Sequence, residues 1–101
     1  MNNNTQQEQR KLKPQLSLKE YVEKELEKEY CLLEPTRRVH ESGKTLYNVT
    51  KVYYEPISKK SIIYNLYIDD GVLFIKPFKS ESNTYMPIGI NELIEKIKKY
   101  K

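Results

Sequence analysis

The chain has few side chains suited to covalent chemistry. His40 is the only histidine and Cys31 the only cysteine, and nine positions separate them. Pairing them as base and nucleophile would require a fold-back for which the sequence gives no signal. Asp69 and Asp70 do not form a metal-ligand pair, because adjacent strand residues point to opposite faces and the glycine after them favours a turn. We therefore expect a protein that is not an enzyme, with no catalytic residue, no metal and no cofactor.

Tyrosine, phenylalanine and lysine side chains offer a chemistry of binding instead. The Asp70-Gly71 pair lies between two apolar runs and predicts a two-residue type I′ hairpin turn, which fixes the register of both strands. One face of this hairpin is predicted to be the core: Ile62, Tyr64, Leu66, Ile68, Leu73 and Ile75. The other face mixes rings, aliphatic groups and a cation: Ile63, Asn65, Tyr67, Asp69, Val72, Phe74, Lys76 and Phe78.

The preceding strand carries a similar mixture. Tyr47, Val49, Lys51 and Tyr53 share one of its faces, which we expect to join the ring-bearing face of the hairpin. Flat rings allow bases to stack, at about 1 to 3 kcal/mol each, while nearby lysines contact phosphate. The pattern predicts binding of nucleic acid, single-stranded or non-specific. The predicted platform comprises Lys51, Tyr53, Tyr67, Phe74, Lys76 and Phe78.

Two basic pairs extend this prediction. Arg37-Arg38 follows the first predicted helix, and Lys59-Lys60 lies in the first predicted hairpin loop. Either pair could clamp a phosphate, although exposed pairs of this kind also serve only to keep a surface solvated. We include all four residues in the candidate nucleic-acid-binding set.

Protein partners are the alternative. An aromatic face on an open sheet also suits contact with a second copy, which would make a homodimer. A regulatory or inhibitory accessory protein, encoded by a virus or plasmid, would dock on another protein through a strand edge or the first helix. That helix and its end carry six glutamates against three lysines, so nucleic acid should avoid it.

The positioning elements follow from periodicity. An i, i+4 stripe opened by Ser17 and Glu20 predicts a helix over 18–33, ended by Pro35. Runs rich in β-branched and aromatic residues predict strands over 45–55, 61–68 and 72–78, with a fourth, edge strand over 84–88. Asn91 opens a last helix. The predicted fold class is α+β, with an N-terminal helix, a three- to four-stranded antiparallel meander and a C-terminal helix.

Composition sets the remaining expectations. Residues 1–16 are polar and predict a disordered tail, while residues 17–101 are expected to form a single domain. With 18 Lys and Arg against 14 Asp and Glu, the net charge is +4, which permits an acidic partner. A lone cysteine and the lack of a long apolar run favour a cytoplasmic protein with no membrane partner. The abundance of lysine and glutamate is typical of thermophilic proteins and predicts a thermophilic source, archaeal or viral.

Overall fold

The computed structural model describes residues 16–54 and 56–100. It confirms the predicted α+β class, with a helix at each end of an antiparallel meander, and the meander has five strands. The elements are α1 (Leu18–Glu27), β1 (Cys31–Val39), β2 (Thr45–Tyr53), β3 (Lys59–Asp69), β4 (Val72–Pro77), β5 (Met86–Ile88) and α2 (Ile90–Lys98). Apart from Leu16, the predicted tail lies outside the described residues.

The start of α1 is the predicted capping box. The Glu20 backbone N–H donates to Ser17 Oγ at 3.2 Å, and the Ser17 N–H donates to Glu20 Oε1 at 2.9 Å. Hydrogen bonding from the Ser17 backbone N–H, and then from its side chain, holds the pKa of the Glu20 carboxyl below its ordinary value. The helix then buries Val22 and Leu26 completely. The sequence signal for this helix start is therefore confirmed.

The end of α1 was predicted wrongly, because the helix stops at Glu27 and the next residues form strand β1. Tyr30 adopts a left-handed backbone conformation with φ +59°, which reverses the chain. Cys31 and Leu33 are then buried in alternation, with a period of two. Leu33 happens to continue the helical stripe, and this coincidence concealed the strand. Pro35 is accommodated because β1 is an edge strand of the sheet.

The β3–β4 hairpin has the predicted turn and register. Asp70 and Gly71 both have positive φ, +50° and +77°, as a type I′ turn requires. Asp69 pairs with Val72 and Tyr67 pairs with Phe74. Leu66 and Ile75 are also partners, and both belong to the hydrophobic core. The Asp-Gly signal thus determines which side chains of this hairpin face the core.

The turn predicts a measurable cost for Gly71→Ala. An added Cβ would meet no atom within 4 Å, so the penalty comes from holding alanine at φ +77°. We expect the free energy of unfolding to fall by about 1 to 2 kcal/mol in urea denaturation. Asp70→Asn is the matched control, because asparagine tolerates the left-handed region, and it should leave stability nearly unchanged. Equal stability of Gly71→Ala and the wild type would contradict this assignment of the turn.

The core lies on one face of the sheet, under both helices. The buried cluster joins α1 and α2 to β1, β2, β3, β4 and β5: Val22, Leu26, Cys31, Leu33, Val49, Ile63, Leu66, Leu73, Ile75, Ile88, Leu93 and Ile97. Burial raises the pKa of the Cys31 thiol above its ordinary value. The opposite face, here called the second face, carries no helix among the described residues.

A β-bulge in the β2–β3 pairing changes two assignments. The register shifts between Val49, which pairs with Tyr64, and Thr50, which pairs with Ile62. Ile62 was predicted to lie in the core, but it pairs with Thr50 on the second face. Ile63 was predicted to lie on the second face, but it belongs to the core cluster. The extra residue in β3 explains both errors.

Candidate functional site

Three stacked rings occupy the second face. The His40 ring lies on the Tyr67 ring, with centroids 4.0 Å apart and planes inclined by 17°. Tyr67 in turn stacks on Phe74, with centroids 4.8 Å apart and planes inclined by 7°. Tyr85 closes the edge of these rings, with its centroid 5.2 Å from both His40 and Tyr67. We call His40, Tyr67 and Phe74 the aromatic stack.

Local structure holds the stack in place. Tyr67 and Phe74 are direct cross-strand partners, so their side chains project from neighbouring positions on one face. His40 lies in the β1–β2 turn, where its N–H donates to the Lys44 carbonyl at 2.9 Å. Its Nδ1 accepts a hydrogen bond from the Ser42 N–H at 3.1 Å. The same Nδ1 lies 2.9 Å from Ser42 Oγ, so Ser42 fixes the orientation of the ring.

Lys76 lies beside the stack and is buried, with only 8% of its surface exposed. Its Nζ donates to the Pro77 carbonyl at 3.3 Å and to the Ser80 carbonyl at 3.5 Å. It also lies 5.9 Å from the centre of the Tyr85 ring, a cation–π distance. Within the part of the chain that the structure describes, no carboxylate forms an ion pair with this ammonium group. Among residues 16–54 and 56–100, the groups that compensate this positive charge are therefore neutral.

A polar concavity of about 260 Å³ opens between the β1–β2 turn and the segment before β5. We call it the basic cleft. Its lining comprises Arg38, Val39, His40, Glu41, Leu46, Asn65, Lys76, Asn83 and Tyr85. Asn65 is buried and donates one amide N–H to Asn48 Oδ1 at 2.9 Å. Burial raises the pKa of the Tyr85 phenol above its ordinary value, and the nearby Arg38 charge opposes that shift in part.

The structure brings together only part of the predicted platform. Tyr67, Phe74 and Lys76 share the second face, as predicted, but Tyr67 and Lys76 are buried by neighbouring residues of the same chain. Phe78 follows the end of β4 and is exposed. The expected open platform is therefore a stack with half-buried ends at His40 and Phe74.

Lys51 and Tyr53 do not join this face, and their predicted placement was wrong. Lys51 pairs with Cys31, which belongs to the core, and alternation places Tyr53 on the same, helix-covered side. Tyr47 likewise pairs with Leu66 of the core. The Lys59 ammonium lies 5.9 Å from the centre of the Tyr53 ring. Tyr53 and Lys59 therefore form an aromatic and basic pair that is separate from the aromatic stack.

The remaining basic residues are distributed over several places. Arg37 and Arg38 lie within β1, not at the exit of a helix, and only Arg38 lines the basic cleft. Lys60 forms an exposed ion pair with Glu34, with Nζ and Oε2 3.7 Å apart. Sequence reasoning missed His40 and Tyr85, because both come from connections between strands and neither follows a periodic pattern.

Groups of metal ligands and helices able to span a membrane are both absent from the described residues. Across 16–54 and 56–100, no three or more His, Cys, Asp or Glu side chains are grouped so that they could hold a metal ion. Among the helices described, none has the length and apolar character needed to cross a membrane.

Comparison with known proteins identifies the family. Residues 19–98 match the model of the TFIP11 C-terminal domain. The match covers α1 through α2, which is most of the chain. No curated protein matches the chain significantly. The chain therefore belongs to the TFIP11 C-terminal domain family.

Proposed function

We propose that this domain is a non-enzymatic module that binds single-stranded RNA through the second face of its sheet. The aromatic stack beside the basic cleft is the observation that supports it. Membership of a family named for TFIP11, a spliceosome-associated protein, makes RNA the natural nucleic acid and the nucleus the natural location. That origin favours a eukaryotic splicing context over the cytoplasmic, thermophilic or viral setting expected from composition.

The two ends of the stack provide surfaces for bases. His40 and Phe74 are each half-buried, so each retains part of a ring that a base can contact. Stacking of a base on an aromatic ring contributes about 1 to 3 kcal/mol and tolerates any sequence. Arg38 and Lys76, which line the adjacent cleft, provide positive charge for the phosphates attached to those bases. The acidic helix α1 covers the opposite side of the sheet, which directs RNA to the second face.

The proposal predicts a salt-dependent affinity and a specific loss for Phe74→Leu. Fluorescence anisotropy with a labelled eight-nucleotide oligouridine measures both. Two phosphate contacts should give a slope of about −1.4 in log K against log salt concentration. Phe74→Leu keeps an apolar side chain but removes the flat ring, so we expect affinity to fall by roughly 5- to 150-fold.

Tyr54→Leu is the matched control. Tyr54 is 61% exposed and follows the end of β2 that is farthest from the β1–β2 turn; its neighbour Tyr53 pairs with Lys59, at the opposite end of β3 from Tyr67. It should bind the oligonucleotide like the wild type. Absence of salt-dependent binding, or equal losses in the two variants, would reject RNA binding by the second face.

Docking on a protein is the second candidate, supported by an apolar groove on the helix side. The groove lies between β4, β5 and α2 and is lined by Tyr64, Ile75, Pro77, Met86, Pro87, Ile88, Glu92 and Lys96. Met86 is 60% exposed there and adds apolar surface to the groove that a partner could cover. A regulatory or inhibitory partner, or a second copy of the chain in a homodimer, would use this surface. A protein retained after nuclease treatment, and lost in Met86→Lys, favours docking.

A further inference from the structure

We infer that the basic cleft is a phosphate-binding site that receives one phosphate group of the bound strand. This inference rests on the proposed function and adds to it a specific pocket, a ligand chemistry and a set of contacting residues. The alternative assignment, a base in the cleft and phosphates outside, fits less well because charged and polar side chains dominate the lining.

Lys76, which is 8% exposed and lines the cleft, is the first reason. A buried charge is costly unless it is paired or well hydrogen-bonded. The two carbonyl contacts of Nζ, at 3.3 and 3.5 Å, are longer than a strong charge-assisted hydrogen bond of about 2.7 to 2.9 Å. An ammonium group has three donors, so one remains for a ligand. An anion entering the cleft would supply the missing compensation.

The other donors around the cleft favour phosphate among anions. Arg38 adds a second positive charge with the planar fork that matches phosphate oxygens. Asn65 uses one amide N–H on Asn48, and its second N–H has no acceptor among the described residues. Tyr85 also lines the cleft, and a tyrosine hydroxyl can donate a hydrogen bond. Tetrahedral phosphate can accept from several such donors at once.

One acidic side chain also lines the cleft. Glu41 is exposed and lowers the positive potential in the concavity. Removing its charge should strengthen phosphate binding, whereas removing either cation should weaken it. These opposite effects on phosphate affinity would distinguish a charge-selective site from a general loss of structure, which would weaken binding in every variant.

The position of the aromatic stack connects the cleft to a nucleotide. His40 belongs both to the stack and to the cleft lining, so a phosphate in the cleft lies next to a ring on which the attached base can stack. The cleft would bind the phosphate and the stack would bind the base, and these two groups belong to one nucleotide. Uridine 5′-monophosphate is therefore the smallest probe, and uridine is the same probe without phosphate.

The test follows backbone amide signals by NMR while either probe is added. Uridine 5′-monophosphate should shift the amides of Ser42, Gly43, Lys76 and Ser80, and uridine should shift them far less. Inorganic phosphate should compete with the monophosphate, because both would bind in the cleft through phosphate oxygens. Comparing oligouridine with and without a 5′-phosphate then separates a terminal phosphate from one within the strand: tighter binding of the phosphorylated strand assigns the terminal group, and equal binding assigns an internal one.

Lys76→Met is the main variant, with Lys79→Met as its control. Methionine fills a similar volume without a charge, so folding should be retained or improved. We expect Lys76→Met to weaken binding of the monophosphate at least tenfold, whereas Lys79→Met, an exposed lysine of the following loop, binds as the wild type does. Arg38→Gln, at an exposed position, provides a second loss variant that does not touch the interior. Glu41→Gln should bind more tightly.

Failures of the inference and of the proposed function are distinguishable. If uridine and its monophosphate shift the same amides equally, or if Lys76→Met and Arg38→Gln both bind the monophosphate like the wild type, the phosphate site is rejected. RNA binding that persists in those variants but falls in Phe74→Leu would leave the proposed function standing. Phosphate binding in the cleft without any binding of oligouridine would support the site and reject RNA as its ligand.

Discussion

Replacing Tyr67 with alanine should lower the free energy of unfolding by about 3 to 5 kcal/mol, as measured by urea denaturation. Tyr67 is only 7% exposed, although neither of the two described helices covers it. Its ring is held between His40 and Phe74, and Tyr85 contacts its edge. Truncation would leave a cavity with aromatic walls and would separate the β1–β2 turn from the rest of the second face.

Tyr67→Phe is the control for that result. It keeps the ring and both stacking contacts, and the described residues give the Tyr67 hydroxyl no hydrogen-bond partner whose loss would be costly. The stability of Tyr67→Phe should therefore remain within about 1 kcal/mol of the wild type. A loss below about 1 kcal/mol in Tyr67→Ala would mean that the stack is an open surface and not a small second core.

The placement of Tyr67, Phe74 and Lys76 on one face could be predicted because it depends on local rules. A type I′ turn at Asp70-Gly71 leaves one register for the two strands it joins. Side-chain alternation then assigns each residue to a face. The error at Ile62 and Ile63 begins only where β3 contains a bulge, which the sequence does not mark with a glycine or proline.

The face of β2 could not be predicted in the same way. The connection between β2 and β3 contains no tight-turn signal, and a change of one residue in register moves every side chain to the other face. The predicted placement of Lys51 and Tyr53 rests only on the similar residue composition of β2 and the hairpin face. The pairing of β2 with β1 contradicts that placement. The sequence does not indicate strand β1 either, because Leu33 continues the apolar stripe of the helix predicted over 18–33.

The basic cleft could not be predicted because its parts meet only in three dimensions. Arg38 lies before the β1–β2 turn, Lys76 lies on β4, and Tyr85 lies just before β5. No short motif spans such distances along the chain. The sequence did predict the kind of binding site, because it indicates aromatic rings and cations together on one face of the sheet.

Leu26→Ala should be the most damaging change on the helix side, lowering the free energy of unfolding by about 2 to 5 kcal/mol. Leu26 is fully buried in the last turn of α1 and belongs to the cluster that joins the helix to the sheet. Its carbonyl also accepts a hydrogen bond from the Glu29 N–H at 2.9 Å, in the turn before β1. Urea denaturation measures the loss.

Tyr21→Ala tests whether burial, and not helix composition, sets this cost. Tyr21 lies in the same helix but is exposed, so its truncation should change stability by less than about 1 kcal/mol. If α1 continued to residue 33, as the apolar stripe predicts, Leu26 would lie in the middle of one long helix. The destabilisation by Leu26→Ala would then be shared by the whole of that helix. Because α1 ends at Glu27, the loss should instead loosen the turn into β1, and hydrogen exchange at Cys31 and Leu33 should accelerate in Leu26→Ala but not in Tyr21→Ala. Unchanged exchange at both positions would mean that β1 is held by its pairing with β2 alone.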